Sequence, residues 1–329
     1  MGKRLAAVKT ENTIENRRQF RNLLFTSEGL ENYISGVILF EETVYQSNNK
    51  KGTLINVLMD KGIVPIIKVD KGLKDLPGCL DESITIGLDD LDNRCKEFYS
   101  KGCRAAKWRA VFNVSADGIQ PSCLAVDENA HTLARYAAIC QANGLVPIVE
   151  PEVLMDGIFD IETASRATQK VLSKVFAALL DHDVILEAAL LKPNMVRSGS
   201  ASLTQATAAE VAQKTFTVLS RTVPMAIGGI FFLSGGMSEE SATICLNEIN
   251  KITLKKMSKP WYLSFSYGRA LQKSCLAAWQ GQNDLKHIEV AQKTLLLKCI
   301  KNSSATLGNY DCDLKANESK NESNQETIG

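Results

Sequence analysis

Residues 184–196 read VILEAALLKPNMV, an apolar run with one internal acid, Glu187, that ends at Lys192. A strand exposed on one face alternates polar and apolar residues, so an almost unbroken run reads as a strand buried on both faces of a parallel sheet. An ammonium at the edge of such a core is costly to desolvate. Lys192 is therefore either a lysine snorkelling outwards or an amine kept neutral for chemistry.

Six further β-rich runs flank this one, at 34–42, 64–72, 104–112, 145–152, 226–236 and 261–268. The segments between them carry helical periodicity. Val171, Leu172, Val175, Phe176, Leu179 and Leu180 make one apolar stripe, and Leu88, Leu91, Cys95 and Phe98 another. Leu133, Ala134, Ala137 and Ala138 make a third, which ends at Gly144, a natural left-handed cap. Ser238 followed by Glu239 and Glu240 reads as a helix start. Strand and helix in strict alternation predict a parallel sheet with right-handed crossovers. A repeat of roughly 30–40 residues along the chain points to an α/β (β/α)₈ TIM barrel. The doubly wound alternative lacks its glycine-rich first turn. Only seven of the eight strands are visible. Residues 2–24 read as a helix capped near Asn12 or Thr13, with Glu15 in its first turn. The expected organisation is one barrel domain over 1–310 and a polar, disordered tail over 311–329.

Composition narrows the function. Of 329 residues 45% are apolar, and 38 basic residues balance 37 acidic ones, so no nucleic-acid partner is indicated. No apolar run approaches the ~18 residues that span a bilayer. Nine scattered cysteines without a CxxC pair, and no signal peptide, fit a reducing cytoplasm. His131, His182 and His287 have no ligand spacing, so a metal mechanism has little support.

In a barrel of this kind the active site lies at the carboxyl ends of the strands. Charged residues two apart share a strand face there: Lys68 with Asp70, Lys107 with Arg109, and Glu150 with Glu152 around Pro151. One such pair reads as a solvated loop start; three pairs plus Lys192 read as convergence on one mouth. A neighbouring ammonium, with Lys107 the expected one, together with partial burial would lower the pKa of Lys192. A neutral lysine attacks a carbonyl and forms a Schiff base, an electron sink for cleaving an adjacent carbon–carbon bond. Glu150 could shuttle protons for the dehydration. Ser234-Gly235-Gly236 and Ser266-Tyr267-Gly268-Arg269 each end a strand just before a helix, a pattern that cradles phosphate.

The motifs LLKPNMV, KWR, PIVEPE, FLSGG.SEE and KPW.L.FSYGRALQ.S, in this order, resemble the class I fructose-bisphosphate aldolases from about Gly2 to Tyr310. The resemblance implies a (β/α)₈ barrel, usually tetrameric, that needs no metal or cofactor. It implies reversible cleavage of fructose 1,6-bisphosphate, a phosphorylated sugar, into dihydroxyacetone phosphate and glyceraldehyde 3-phosphate. By motif, Lys192 is the Schiff-base lysine and Glu150 the main acid/base, with Lys107 and Glu152 beside it. Ser234, Gly235, Gly236, Ser266, Gly268 and Arg269 hold one phosphate, while Lys68, Arg109 and Arg4 lie toward the other.

Three departures accompany the likeness. Family members carry a stretch like Ala-Asp-Glu-Ser-Thr-Gly before the Gly2-Lys3-Arg4 counterpart, so that strand, its aspartate and its serines would precede residue 1. The chain ends QETIG rather than in a tyrosine. Glu187-Ala188 replaces Glu-Gly, and by strand parity Ala188 is expected to face the same side as Lys192. A non-catalytic aldolase-like binding or scaffold protein is the alternative reading.

Overall fold

The computed structural model describes residues 1–48, 52–254 and 260–311. The expected tail is therefore outside the described residues from 312 onward. Nine strands are present among them: β1 (Gly36–Leu39), β2 (Val64–Lys68), β3 (Leu73–Asp75), β4 (Ser83–Thr85), β5 (Ala105–Phe112), β6 (Val146–Val153), β7 (Leu190–Leu191), β8 (Gly229–Phe232) and β9 (Leu263–Phe265). Seven form one sheet, in the order β1-β2-β5-β6-β7-β8-β9, and every pairing in it is parallel. Chain order equals spatial order because each crossover is helical, which curls the sheet toward a barrel. β1 and β9 are its two edges and do not pair with each other.

Strand parity separates chemistry from core. On β5, Ala106, Trp108 and Ala110 are fully buried and pack outward against helices, while Lys107 and Arg109 alternate to the opposite face. Trp108 stacks on Tyr136 of the helix Cys123–Ala142, with ring centroids 5.5 Å apart. The Tyr136 hydroxyl lies 2.8 Å from the Ala106 carbonyl and 3.0 Å from that of Ile148, so it pins the β5–β6 seam from behind. Burial of such rings stabilises by about 1.5–3 kcal/mol each, with roughly another 1 kcal/mol from the hydrogen bonding. The predicted stripe on the helix Ile161–Asp181 is buried from Val171 to Leu179, whereas Leu180 is exposed.

Three expectations are corrected. The run at 184–192 is not one long strand: Leu186–Ala188 form a 3₁₀ turn and only Leu190–Leu191 join the sheet. The cause is non-local. The Gln141 side chain accepts from the Ile185 N–H at 3.0 Å and donates to the carbonyls of Ile185 and Ala188 at 2.8 and 3.2 Å, which replaces a strand partner. Gly228 closes over the turn; a Cβ there would stand 2.8 Å from the Glu187 carbonyl oxygen. Strand parity therefore does not govern Ala188, which is half-buried in the turn. The N-terminal segment is two helices, Gly2–Ala6 and Ile14–Phe25, and the second begins at Thr13, whose hydroxyl accepts from Asn16 at 3.1 Å. The β3–β4 hairpin was unforeseen, because three-residue strands with the sequence LKD and SIT carry no readable period.

Candidate active site

Parallel register places the charged pairs on adjacent strands: Lys68 opposite Lys107, and Arg109 opposite Glu150. Lys192 follows β7 directly, and its N–H donates to the Val149 carbonyl at 2.8 Å, which sets it level with Glu150. Glu150 then lies between two amines. Its Oε1 is 2.7 Å from Lys192 Nζ and its Oε2 is 2.7 Å from Lys107 Nζ. All three side chains are buried. Asp70 extends the chain of charges, 3.6 Å from Lys107 Nζ and 2.6 Å from Lys68 Nζ. Arg109 Nε pairs with Glu152 at the outer end of the same wall.

Burial is the largest influence on Lys192 and holds its amine below the ordinary lysine range. The Glu150 carboxylate opposes that shift, while the Lys107 ammonium reinforces it. Both expected influences, burial and the Lys107 ammonium, act in the lowering direction, with burial the larger. Burial alone would raise Glu150, yet Lys192 and Lys107 together hold it below the usual carboxylate range. Arg109 is likewise opposed by burial but kept firmly charged by Glu152.

A cavity of about 710 Å³ opens between the two sheet edges and reaches Lys68, Lys107 and Lys192 on one side and Ser266 and Gly268 on the other. Ser266 donates its N–H to the Phe232 carbonyl at 2.9 Å, and Gly268 begins the helix Arg269–Trp279, where Arg269 is exposed. The turn Ser234–Met237 closes with a 2.9 Å bond from Met237 N–H to the Ser234 carbonyl. Gly235 (φ 47°) and Gly236 (φ 83°) supply the left-handed conformations this turn requires. Leu233 N–H donates to the Pro193 carbonyl at 3.0 Å, which ties this turn to the loop after Lys192. Glu239, on the helix Glu239–Leu254, accepts from Ser274 N–H at 2.9 Å and pairs with Lys298 at 3.0 Å. That carboxylate fixes the two glycine-bearing helix starts to each other.

Burial first, and the Arg269 guanidinium second, hold the pKa of Arg4 below the ordinary arginine range, so Arg4 lies within electrostatic reach of Arg269. Asp70, paired with Lys68 in the sequence reading, also approaches Lys107, a contact that depends on the stagger between β2 and β5. One contributor was missed. Arg197 Nη2 donates to the Gly235 carbonyl at 2.6 Å, and nothing in the order of residues indicates that contact. His131 and His182 meet edge to face, with centroids 4.7 Å apart, away from this wall. No cluster of three or more metal-ligating side chains occurs among the described residues.

Comparison with known proteins agrees with this geometry. The family profile described as fructose-bisphosphate aldolase class-I matches residues 1–328. Cytosolic fructose-bisphosphate aldolase 4 of Arabidopsis thaliana is 50% identical over 323 residues, covering 98% of this chain and 80% of its own. Fructose-bisphosphate aldolase B of Bos taurus is 52% identical over 311 residues, covering 94% and 84%. The solved structure of the Plasmodium falciparum fructose-bisphosphate aldolase superposes with a TM-score of 0.90 at 50% identity, covering 94% of this chain and 87% of that one. With the buried Lys192–Glu150–Lys107 cluster at the strand ends of a parallel barrel sheet, these likenesses establish that the chain belongs to the class I fructose-bisphosphate aldolase family.

Proposed function

We propose that this chain cleaves fructose 1,6-bisphosphate reversibly to dihydroxyacetone phosphate and glyceraldehyde 3-phosphate, through a Schiff base on Lys192. The single observation that carries the reading is the Glu150 carboxylate held 2.7 Å from the buried Lys192 amine. Lys192 passes its ammonium proton to Glu150 and adds as the neutral amine to the ketone carbon. Glu150 returns that proton to the departing hydroxyl, so that water leaves and an iminium forms. Loss of the C4 hydroxyl proton to a carboxylate then breaks the C3–C4 bond, and the electron pair passes into the iminium to give an enamine. The aldehyde leaves; protonation of the enamine and hydrolysis return Lys192. Lys107 keeps the charge balance, and Glu152 holds Arg109 for an anionic group. Ser234, Gly235, Gly236, Ser266, Gly268 and Arg269 support one phosphate, with Arg4 beside them; Lys68 and Arg109 support the other. A scaffold protein would have no use for two amines sharing one buried carboxylate.

Family membership supports a homotetramer, and relatives named as cytosolic isozymes support a cytoplasmic location for a chain without any membrane-length apolar helix among its described residues. The 1–310 segment is one barrel domain in this reading, with 311–329 a polar tail. Incubation with dihydroxyacetone phosphate, borohydride reduction and peptide mass mapping should place an adduct on Lys192, alongside turnover of fructose 1,6-bisphosphate. A folded sample with no adduct would overturn the proposal; an adduct without turnover would leave the amine chemistry and remove the cleavage.

A further inference from the structure

Arg197 lies five residues beyond Lys192, in the loop that follows β7, and no motif assigns it a role. Its guanidinium is part-buried, and its one hydrogen bond among the described residues goes to the Gly235 carbonyl at 2.6 Å. A Cβ added at Gly236 would sit 3.8 Å from the same nitrogen, so Arg197 covers one side of the Gly235–Gly236 peptide. No carboxylate lies within ion-pair distance of it among the described residues. Asp156 acts on it only from further away and does not offset the depression that burial imposes. A largely unneutralised cation is thus kept against the back of the glycine turn.

Peptide geometry gives this contact a direction. In a trans peptide the C=O and N–H point to opposite sides. Anchoring the Gly235 oxygen on Arg197 therefore turns the Gly236 N–H away from Arg197, and that N–H has no hydrogen-bond acceptor among the described residues. Both glycines hold left-handed φ angles, and glycine peptides rotate with little steric resistance. Without an anchor this plane would be the most easily flipped in the turn.

We infer that Arg197 is a positioning residue for a phosphate monoester: it fixes the Gly235–Gly236 peptide so that the Gly236 N–H faces the phosphate, and polarises that N–H through the amide. A cation hydrogen-bonded to a carbonyl strengthens the donor at the other end of the same amide. Phosphate and guanidinium then act from opposite edges of one peptide plane, without touching. The inference rests on the proposed phosphate role of this turn, and it names the residue that sets the turn's orientation.

Inorganic phosphate is the direct probe, because its binding can be titrated without turnover. The full chain carrying Arg197→Met should bind phosphate about tenfold more weakly than the unsubstituted chain, with a smaller dependence on ionic strength. For fructose 1,6-bisphosphate the loss should fall on KM far more than on kcat. Arg197→Lys, which keeps the charge but not the fork, should recover part of the affinity, a rescue that a packing role would not give. Equal phosphate affinity in all three proteins overturns the inference. So does a loss of about tenfold or more in folded Arg197→Lys measured against the unsubstituted chain, a readout that does not need the methionine variant. Unsubstituted protein that binds phosphate but forms no adduct on Lys192 refutes the aldolase chemistry and leaves the role of Arg197 standing.

Discussion

Lys107 and Lys192 approach opposite oxygens of the same carboxylate, Glu150, at the same distance of 2.7 Å. Two ammoniums around one buried anion carry a surplus proton, and the neighbours decide which amine gives it up. Lys107 has a second carboxylate, Asp70, at 3.6 Å. Lys192 is influenced by Glu152 only weakly and from further off. The asymmetry selects Lys192 as the amine that deprotonates, and so as the nucleophile.

Lys107→Met should move the pH profile of adduct formation to higher pH. Lys107 lowers the pKa of Lys192, and with that charge removed Glu150 pairs with Lys192 alone. The neutral fraction of Lys192 then falls at any given pH. A displacement of about one pH unit corresponds to ~1.4 kcal/mol of lost repulsion. Trapping rates measured between pH 5 and pH 10 check this; a profile that superimposes on the parent, or moves to acid, refutes it.

Asp70→Asn should act in the same direction and less strongly. Asp70 stands 3.6 Å from the Lys107 Nζ and helps to hold that ammonium in place beside Lys192; without it the position is less fixed and the repulsion on Lys192 weakens. Both substitutions work through one group, so the double variant should be displaced no further than Lys107→Met alone. Simple additivity of the two displacements would show that Asp70 acts on Lys192 by another route.

The two halves of the site differ in how far the sequence exposes them. Lys107, Arg109, Glu150 and Glu152 are legible because strand parity is a local rule: residues two apart must share a face, and the wall they form is what β5 and β6 build. The 184–192 run misleads because its composition suits a strand, while the Gln141 side chain, 44 residues before Ile185, takes its backbone groups instead. Asp70 reaches Lys107, and Arg197 reaches Gly235, only through stagger and loop closure. Those distances depend on tertiary structure, which no local pattern encodes.

Glu150→Gln should destabilise the protein at neutral pH by roughly 3–5 kcal/mol, because two buried amines lose their shared counter-charge. The pH dependence follows from the depressed pKa of Glu150, ordinarily 4.5. Below 4.5 the unfolded chain takes up this proton before the folded one does, so stability present above that pH is lost as pH falls through the folded value. Urea unfolding at pH 7 and pH 4 should show the parent losing more stability than the variant over that interval. A larger acid loss in the variant would refute the assignment.

Edge strands of the sheet should be its least protected. Residues along a parallel strand point their amides alternately to either neighbour. Val64 N–H donates to Ser35, and Ser266 N–H to Phe232, so Ile38 on β1 and Phe265 on β9 turn their amides to the unpaired sides. Those amides border the 710 Å³ cavity that reaches Lys192. Trp108 and Val149, in contrast, lie on β5 and β6, paired on both sides and buried beneath helices. Central amides open only with global unfolding, at ~5–15 kcal/mol, and free-edge amides near zero. Hydrogen exchange followed residue by residue should separate the two sets by several orders of magnitude. Slow exchange at Ile38 and Phe265 would mean that both edges are paired in solution, and that the cavity beside Lys192 is closed by a strand rather than open to substrate from that side.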